Sequence, residues 1–339
     1  MSRLYLLTKD GYKNISEGIE KETSCRKFLT ELGSVFTVNS DLSIRTLNSE
    51  GDIVFKKVSD LETEDIVVSD VNTESFSVDS TIDSKIAYLI GLLYSVKAST
   101  SRQNISLPKN SVTDYISEYF YRFFDTKLVL DEYKIFITED FIDKYKLNPE
   151  FVPEFIMEGN REIQKEFVKG FFDTNFIVSD KMLLKDFYSE DFLQQVFLIL
   201  KNFGIIAEID DSSLFISGEE IINYYNIIGT NNTYLEEDFM DIHLEENDFY
   251  QIFNLEKTCR DFYETTDKTF NFNQMNLNRK EIEKLIELDG DSSLKDKIRN
   301  LLDKKYCFER IVAVSNTIDK DLDIGEDSEF IINSYVLRK

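Results

Sequence analysis

Two stretches decide the fold: LIGLLYSVK, Leu89–Lys97, and VKGFFDTNF, Val168–Phe176. Each carries a glycine inside an apolar run of helical spacing, Gly91 in the first and Gly170 in the second, 79 residues apart. Around each glycine the pattern has the same order. KIAYLIGLLYSVKA gives a helical stripe, followed by a strand-like segment, an amphipathic helix SVTDYISEYFYRFFDTK, and LVL with YKIFIT as a hairpin. After NPEFVPEFIMEG the order returns: REIQKEFVKGFFDTNF as helix, IVSD and KMLLKDF as strands, SEDFLQQVFLILKNFGI as helix, then AEID and SLFIS as strands. Residues 85–240 therefore form a twofold repeat of helix, strands, helix, strands. Helix-packing glycines in an unrelated α/β protein would explain Gly91 and Gly170 equally well taken singly; the repeat favours the paired explanation.

Outward from the repeat the period changes. Residues 71–84, VNTESFSVDSTIDS, are polar and aperiodic, as a linker is. Before them LYLLT, KDGY, VFTVNSDLSIRTL, IVFKKV and IVVSD alternate apolar and polar positions between DG and EGD turns, which predicts a β region of hairpins over residues 1–75. Residues 241–305 are charged and helical in tendency, most clearly in NRKEIEKLIELDGDSSLKDKIRNLLDKK. Residues 306–339, YCFERIVAVSN and DLDIGEDSEFIINSYVL, return to strand character. A β segment at each end, enclosing an α/β insertion, implies that both ends form one domain. The expected class is α+β.

Charge and composition limit the function. The 339 residues carry 39 Lys+Arg against 64 Asp+Glu, a net charge of −25, and residues 85–240 alone have 15 against 26. Such a surface repels phosphate and gains little from counterion release, so DNA binding is disfavoured. The aromatics of DYISEYFYRFFD lie at helical spacing with only Arg122 and Lys127 near, which suits a core better than a base-stacking platform. Cys25, Cys259 and Cys307 are scattered singly, and His243 is the sole histidine, so spacing assembles no zinc site. His243 fits a solvated or core residue better than a base. The acidic runs LEEDFMDIHLEEND and DKDLDIGEDSE are expected to be solvated faces. No signal peptide and no long uncharged apolar stretch is evident. The expectation is a soluble, non-secreted, cytoplasmic protein with no membrane contact, and a viral or mobile-element origin is compatible with it.

The two glycine stretches resemble the paired motifs of LAGLIDADG homing endonucleases, and VPEFIMEGNREIQKEFVKGFFD with DFLQQVFLILKNFGIIAEI resembles the context of that family's second motif. The flanks resemble the self-splicing Hint domain of inteins. LYLLTKDGYKNISEG is similar to its opening strand and turn, FTVNSDLSIRTLNSEGDIVFKKVSDLETEDIV to its second conserved block, and YCFERIVAVSN with DLDIGEDSEFIINSYVLRK to its last two. The resemblance implies a Hint-like β domain formed by both chain ends, with an inserted pseudo-twofold LAGLIDADG α/β domain. In that arrangement small residues let two helices approach side by side so that their ends meet at the twofold axis.

The residues that carry the family's chemistry are replaced. Active members place a metal-binding carboxylate at the eighth motif position, where this chain has Val96 and Asn175. Asp173 matches the other motif acid, which supports the helix end; a residual Mg²⁺ nuclease would have to use it. Splicing needs a nucleophile at the first residue, a Thr and His pair in the second block, and a late His with a His-Asn ending. Here those positions hold Met1, Asn39 and Leu42, Ser328, and Arg338 and Lys339, while Asp321 matches an acid of the penultimate block. The resemblance thus implies a pseudoenzyme with no catalytic residue, no metal and no cofactor, whose partners are proteins of a larger complex. The alternative is a sequence-specific DNA-binding or regulatory protein using the saddle-shaped LAGLIDADG sheet.

Overall fold

The computed structural model describes residues 5–8, 11–14, 22–48, 52–78, 82–95, 104–106, 134–136, 139–173, 176–177, 181–184, 188–240, 295–296, 299, 306–320 and 329–338. The chain is mixed α+β and divides into two compact units, one of Met1–Asn14 with Glu74–His243 and one of Ile15–Thr73 with Leu244–Lys339. The first of these units includes the paired strands Tyr5–Thr8 and Gly11–Asn14. Tyr5 and Tyr12, on the antiparallel strands Tyr5–Thr8 and Gly11–Asn14, are fully buried, and the Tyr12 hydroxyl donates to the carbonyl of Leu198 at 3.3 Å.

The unit of the chain ends is antiparallel sheet. Strand Glu22–Thr30 pairs with Val35–Asn39 on one side and with the long strand Tyr306–Lys320 on the other. The first residues of that long strand also pair with Ile66–Asp70, from Tyr306↔Asp70 to Arg310↔Ile66. Strand Ser43–Leu47 pairs with Ile53–Lys57, with Ile66–Asp70 and with the last strand Tyr335–Arg338, which itself pairs with Glu329–Ile332. Strands from the end of the chain are thus hydrogen-bonded between and beside strands from its beginning. A bulge between Ile311 and Ala313 bends the long strand from one partner to the other. There Ile311 donates to the Asp65 carbonyl at 2.8 Å and accepts from Glu64, which has φ 76°.

Alternation puts one side chain in two toward the core, and Phe28, Phe36, Ile44, Val67, Ile311, Tyr335 and Leu337 fill it. Phe36 stacks on Phe28 at 5.2 Å and meets Tyr335 at 4.1 Å. Arg26 folds over the turn Val58–Asp60 and donates through Nη1 to the carbonyls of Val58, Ser59 and Leu61, the last at 2.6 Å. Two local expectations change. VFTVNSDLSIRTL is broken into two strands because the Asn39 side chain accepts from the Asp41 amide at 2.9 Å and makes a turn, as asparagine does. Strand Glu22–Thr30 carries Lys27 and Arg26 among its polar positions, so its alternation is poorly visible in sequence.

The other unit holds the two stretches expected to form a repeat. Its first copy contributes helix Ser84–Ser95, the paired strands Asn104–Ser106 and Lys134–Phe136, and helix Glu139–Tyr145. The helix expected over residues 111–127 lies outside the described residues, as do most of residues 241–305. The second copy has helix Arg161–Phe172, strands Phe176–Ile177 and Lys181–Leu184, helix Glu190–Asn202, strands Glu208–Asp210 and Ser213–Ser217, and helix Glu219–Ile227, followed by helix Thr233–Met240. Its four strands form an antiparallel sheet in the order 176–177, 181–184, 213–217, 208–210.

Capping fixes where these helices begin. Asn160 accepts from the Ile163 amide at 3.0 Å and Ser189 from the Phe192 amide at 3.1 Å. The polar segment expected to be a linker is fastened down instead. Ser75 exchanges two hydrogen bonds with the Asn202 side chain at 3.2 and 2.9 Å, and Phe76 lies 5.0 Å from Phe203. Gly11, at φ 98°, adjoins the same segment, where a Cβ would stand 3.0 Å from the Ser77 nitrogen.

Candidate functional site at the paired glycine helices

Helix Ser84–Ser95 is buried on every side from Ala87 to Ser95, which marks it as a core helix. Its neighbour is helix Arg161–Phe172, and the two meet backbone to backbone. A Cβ on Gly91 would stand 2.1 Å from the Phe167 carbonyl oxygen and 2.7 Å from the Phe171 nitrogen. A Cβ on Gly170 would stand 2.0 Å from the Tyr88 carbonyl oxygen. Tyr88 precedes Gly91 by three residues, as Phe167 precedes Gly170. Each glycine therefore receives the carbonyl one turn before its counterpart, a reciprocal contact of the kind a local twofold axis produces.

Aromatic side chains close the seam. Tyr94 packs edge-on to Phe167 at 5.9 Å and stacks on Phe192 at 5.3 Å; Phe171 meets Tyr188 at 5.3 Å and Phe192 at 5.2 Å. The Tyr188 hydroxyl donates to the carbonyls of Tyr94 and Ser95, which satisfies these two at the end of the first helix. Gln164 and Gln195 hold the segment before the second helix, through the Met157 carbonyl at 2.7 Å and the Val152 amide at 2.6 Å.

Asp173 ends the second helix and is 1% exposed. Its Oδ2 accepts from the Tyr88 hydroxyl at 2.6 Å and from the Asn231 amide at 3.0 Å; its Oδ1 accepts from the Thr230 hydroxyl. The Asn232 side chain adds a bond to the Asp173 carbonyl at 2.8 Å. One carboxylate thereby joins both glycine helices to the loop before helix Thr233–Met240. Burial pushes its pKa up from 3.8 to about 6, against the opposing pull of Thr230, Tyr88, Asn231 and the Lys169 ammonium. Lys169 is ion-paired with Glu166 one turn back. Burial raises the pKa of Tyr224, and the charges of Asp173 and Glu166 nearby raise it further. Both oxygens of Asp173 are engaged by protein donors, so the residue serves as a helix-end brace. Among the described residues no group of His, Cys, Asp and Glu is placed to hold a metal ion.

The other sequence-marked positions fall as follows. Val96 and Asn175 lie outside the described residues, as do Met1, Asp321, Ser328, Lys339, His243 and Cys259. Asn39 and Leu42 are the ends of one turn, with the Leu42 amide donating to the Asn39 carbonyl at 3.2 Å; Leu42 is buried. Arg338 is the last residue of its strand, paired with Glu329 and Ser43. Cys25 and Cys307 are buried free thiols.

A polar cluster in the β unit had no mark in the sequence. Glu309 is fully buried, and accepts from the Thr30 hydroxyl at 2.8 Å and the Ser69 hydroxyl at 3.0 Å. The Tyr335 hydroxyl donates nearby to Ser34 at 3.0 Å, with its pKa raised by burial and by the Glu309 charge. Sequence could have suggested it only through a glutamate standing in the apolar alternation of YCFERIVAV. Tyr88, Thr230, Asn231 and Asn232 were likewise unmarked, although GTNN reads as a turn.

On the sheet of the second copy, Glu208 and Asp210 are exposed and share a face with Phe215 and Ser213 by register. Among the described residues no helix is long and apolar enough to cross a membrane. Compared with protein-family models the chain matches none, and no curated protein matches it.

Proposed function

We propose that this protein is a catalytically inactive relative of inteins carrying a LAGLIDADG homing-endonuclease domain, repurposed as a structural or accessory binding subunit of a larger assembly. The observation that carries the reading is the reciprocal seat of Gly91 and Gly170 with Asp173 turned inward as a brace. Two helices brought to backbone contact are the support such a nuclease builds under a pair of metal-binding carboxylates. Here the chain offers Val96 and Asn175 at those positions, and the remaining acid has both oxygens occupied by Tyr88, Thr230 and Asn231. In the β unit the positions of the splicing Thr and His are Asn39, which caps its own turn, and Leu42, which is buried. The scaffold is retained where the chemistry is not, and a scaffold without chemistry acts by binding.

The test has three arms. Plasmid incubated with the protein and Mg²⁺ should remain uncut, and nicking that disappears in Asp173→Ala would instead establish a residual nuclease. The protein recovered from its native source should co-purify stoichiometrically with other proteins; a solitary chain that binds nothing refutes the subunit reading. The DNA-binding alternative requires duplex affinity that falls steeply with salt. The exposed Glu208 and Asp210 on the second copy's sheet oppose it, because carboxylates facing a phosphate backbone repel it.

A further inference from the structure

The long strand Tyr306–Lys320 has a neighbour on both sides for only part of its length. Strand Ile66–Asp70 leaves it at Ile66↔Arg310, and Ile311 donates to the Asp65 carbonyl and accepts from the Glu64 amide. Beyond the bulge, residues 313–320 pair only with residues 22–29 among the described residues, so the other edge is open from Val312 onward. An exposed strand edge is a template for another strand, and proteins ordinarily blunt it with charge, proline or a covering segment. Here residues 311–318, IVAVSNTI, hold no charge and no proline, in a chain of which 30% is charged. Val312 and Ile318 are 43% and 74% exposed, and Ala313, Ser315 and Asn316 are exposed with them. We infer that this edge is the contact by which two copies of the chain pair, strand to strand and antiparallel, into a weak dimer.

The edge is complementary to itself. Two antiparallel edges joined in one sheet are related by a twofold axis perpendicular to it, so the residue on the axis faces its own copy. Residues 312–320 are centred on Asn316. An axis there sets Asn316 against Asn316, Ser315 against Thr317, and Val314 against Ile318. Asp319 falls opposite Ala313 and Lys320 opposite Val312, so no like charges meet. Val314 and Ile318 share one face of the strand, opposite Phe28 and Ser24, and pairing covers the exposed Ile318 with an apolar neighbour. Nine residues at about 3.4 Å each make a seam about 30 Å long and about 10 Å thick. That buries on the order of 300 Å² per copy, less than half of the roughly 800 Å² of a standard interface, so the dimer dissociates in the micromolar range or above. The pairing does not depend on the proposed ancestry.

Sedimentation velocity of the purified full chain, from about 1 μM to about 1 mM, tests it. The weight-average mass should rise with concentration toward that of two chains, and hydrogen exchange should slow in step at amides within residues 313–319. Because the chain is assayed alone, the outcome is separate from any search for other protein partners. Asn316→Lys and Asn316→Asp should each abolish the rise, because each sets a charge against itself on the axis. One makes the net charge of −25 less negative and the other more so, and overall repulsion cannot account for a loss in both. Ile318→Ser should weaken the dimer about tenfold, as it removes two Val314–Ile318 pairs. Asn316 and Ile318 are exposed, so the variants should fold as wild type does, which far-UV circular dichroism checks. A chain that stays monomeric throughout, or a dimer that either Asn316 variant leaves intact, overturns the inference. Should an Asn316 variant not fold, Ile318→Ser decides, and unchanged dimerisation refutes the proposal.

Discussion

Replacing Gly91 or Gly170 by alanine tests the helix seam with a change of sign. In a helix interior alanine is favoured over glycine by about 1 kcal/mol, so a glycine without a packing role would be improved by the substitution. Here the added carbon would lie 2.1 Å from the Phe167 carbonyl oxygen or 2.0 Å from that of Tyr88. Both obstacles are backbone, and neither can swing aside. The helices must separate by on the order of 1 Å, a gap at which a contact forfeits roughly a quarter to a half of its dispersion energy. The loss falls on a seam filled by Tyr94, Phe167, Phe171 and Phe192. Each single variant should therefore be destabilised by about 2–3 kcal/mol, as overpacked cores are.

The double variant sharpens the test. One outward displacement makes room for both methyl groups, so the two penalties should fall short of additivity by about 1–2 kcal/mol. Urea unfolding of the full chain, followed by far-UV circular dichroism and by tyrosine fluorescence, gives the midpoints; the chain has no tryptophan to complicate the signal. A single alanine that raises the midpoint, or two that add fully, would refute the reciprocal backbone contact.

Other substitutions have equally definite outcomes. Asp173→Ala strands the Tyr88 and Thr230 hydroxyls and the Asn231 amide, and should cost about 2–4 kcal/mol at pH 7.5; a smaller loss for Asp173→Asn is expected in the same urea titration. Because the folded pKa of Asp173 is raised, its contribution to stability is largest below pH 4 and is lost as pH rises through 6. Wild type should weaken across that window by about 3 kcal/mol relative to Asp173→Asn, and parallel curves would contradict the burial assigned to the carboxylate. Glu309→Ala leaves the Thr30 and Ser69 hydroxyls facing a void and should cost about 2–4 kcal/mol, with Glu309→Gln retaining much of the stability, as thermal unfolding will report. Arg26→Met keeps the packing stem but abandons three carbonyls, and a loss of about 2 kcal/mol should be accompanied by faster amide exchange at Leu61, whose N–H bonds the Val58 carbonyl at 3.3 Å.

The structure separates periodic from non-periodic information. Helix Arg161–Phe172 and the strand around Ile44 were legible because each buries one face repeatedly and so writes a period into the chain, whereas helices Ser84–Ser95 and Glu190–Asn202 and the strand around Val67, buried on nearly every side, were legible as apolar runs. Strand Glu22–Thr30 and helix Glu139–Tyr145 were not, since their burial is completed by distant strands or by a few aromatic contacts such as Phe141 with Tyr145. Ser75 and Phe76 illustrate the same limit. A polar segment without period resembles a free linker, yet two bonds to Asn202 and the Phe203 ring hold it in place.

By itself the sequence determined the α+β class, the order of elements from Arg161 to Ser217 and the two glycines on helices Ser84–Ser95 and Arg161–Phe172, because hydrophobic period and backbone permissiveness are local properties. Only tertiary structure decided that Gly91 and Gly170 receive each other's preceding carbonyls, since that contact depends on the relative placement of two helices 79 residues apart. It also decided the role of Asp173. A carboxylate at a helix end can face water, a metal ion or the protein, and the choice rests on what surrounds it. Tyr88, Thr230 and Asn231, brought from 85, 57 and 58 residues away, turn it inward. The carboxyl group is thereby committed to hydrogen bonds within the fold.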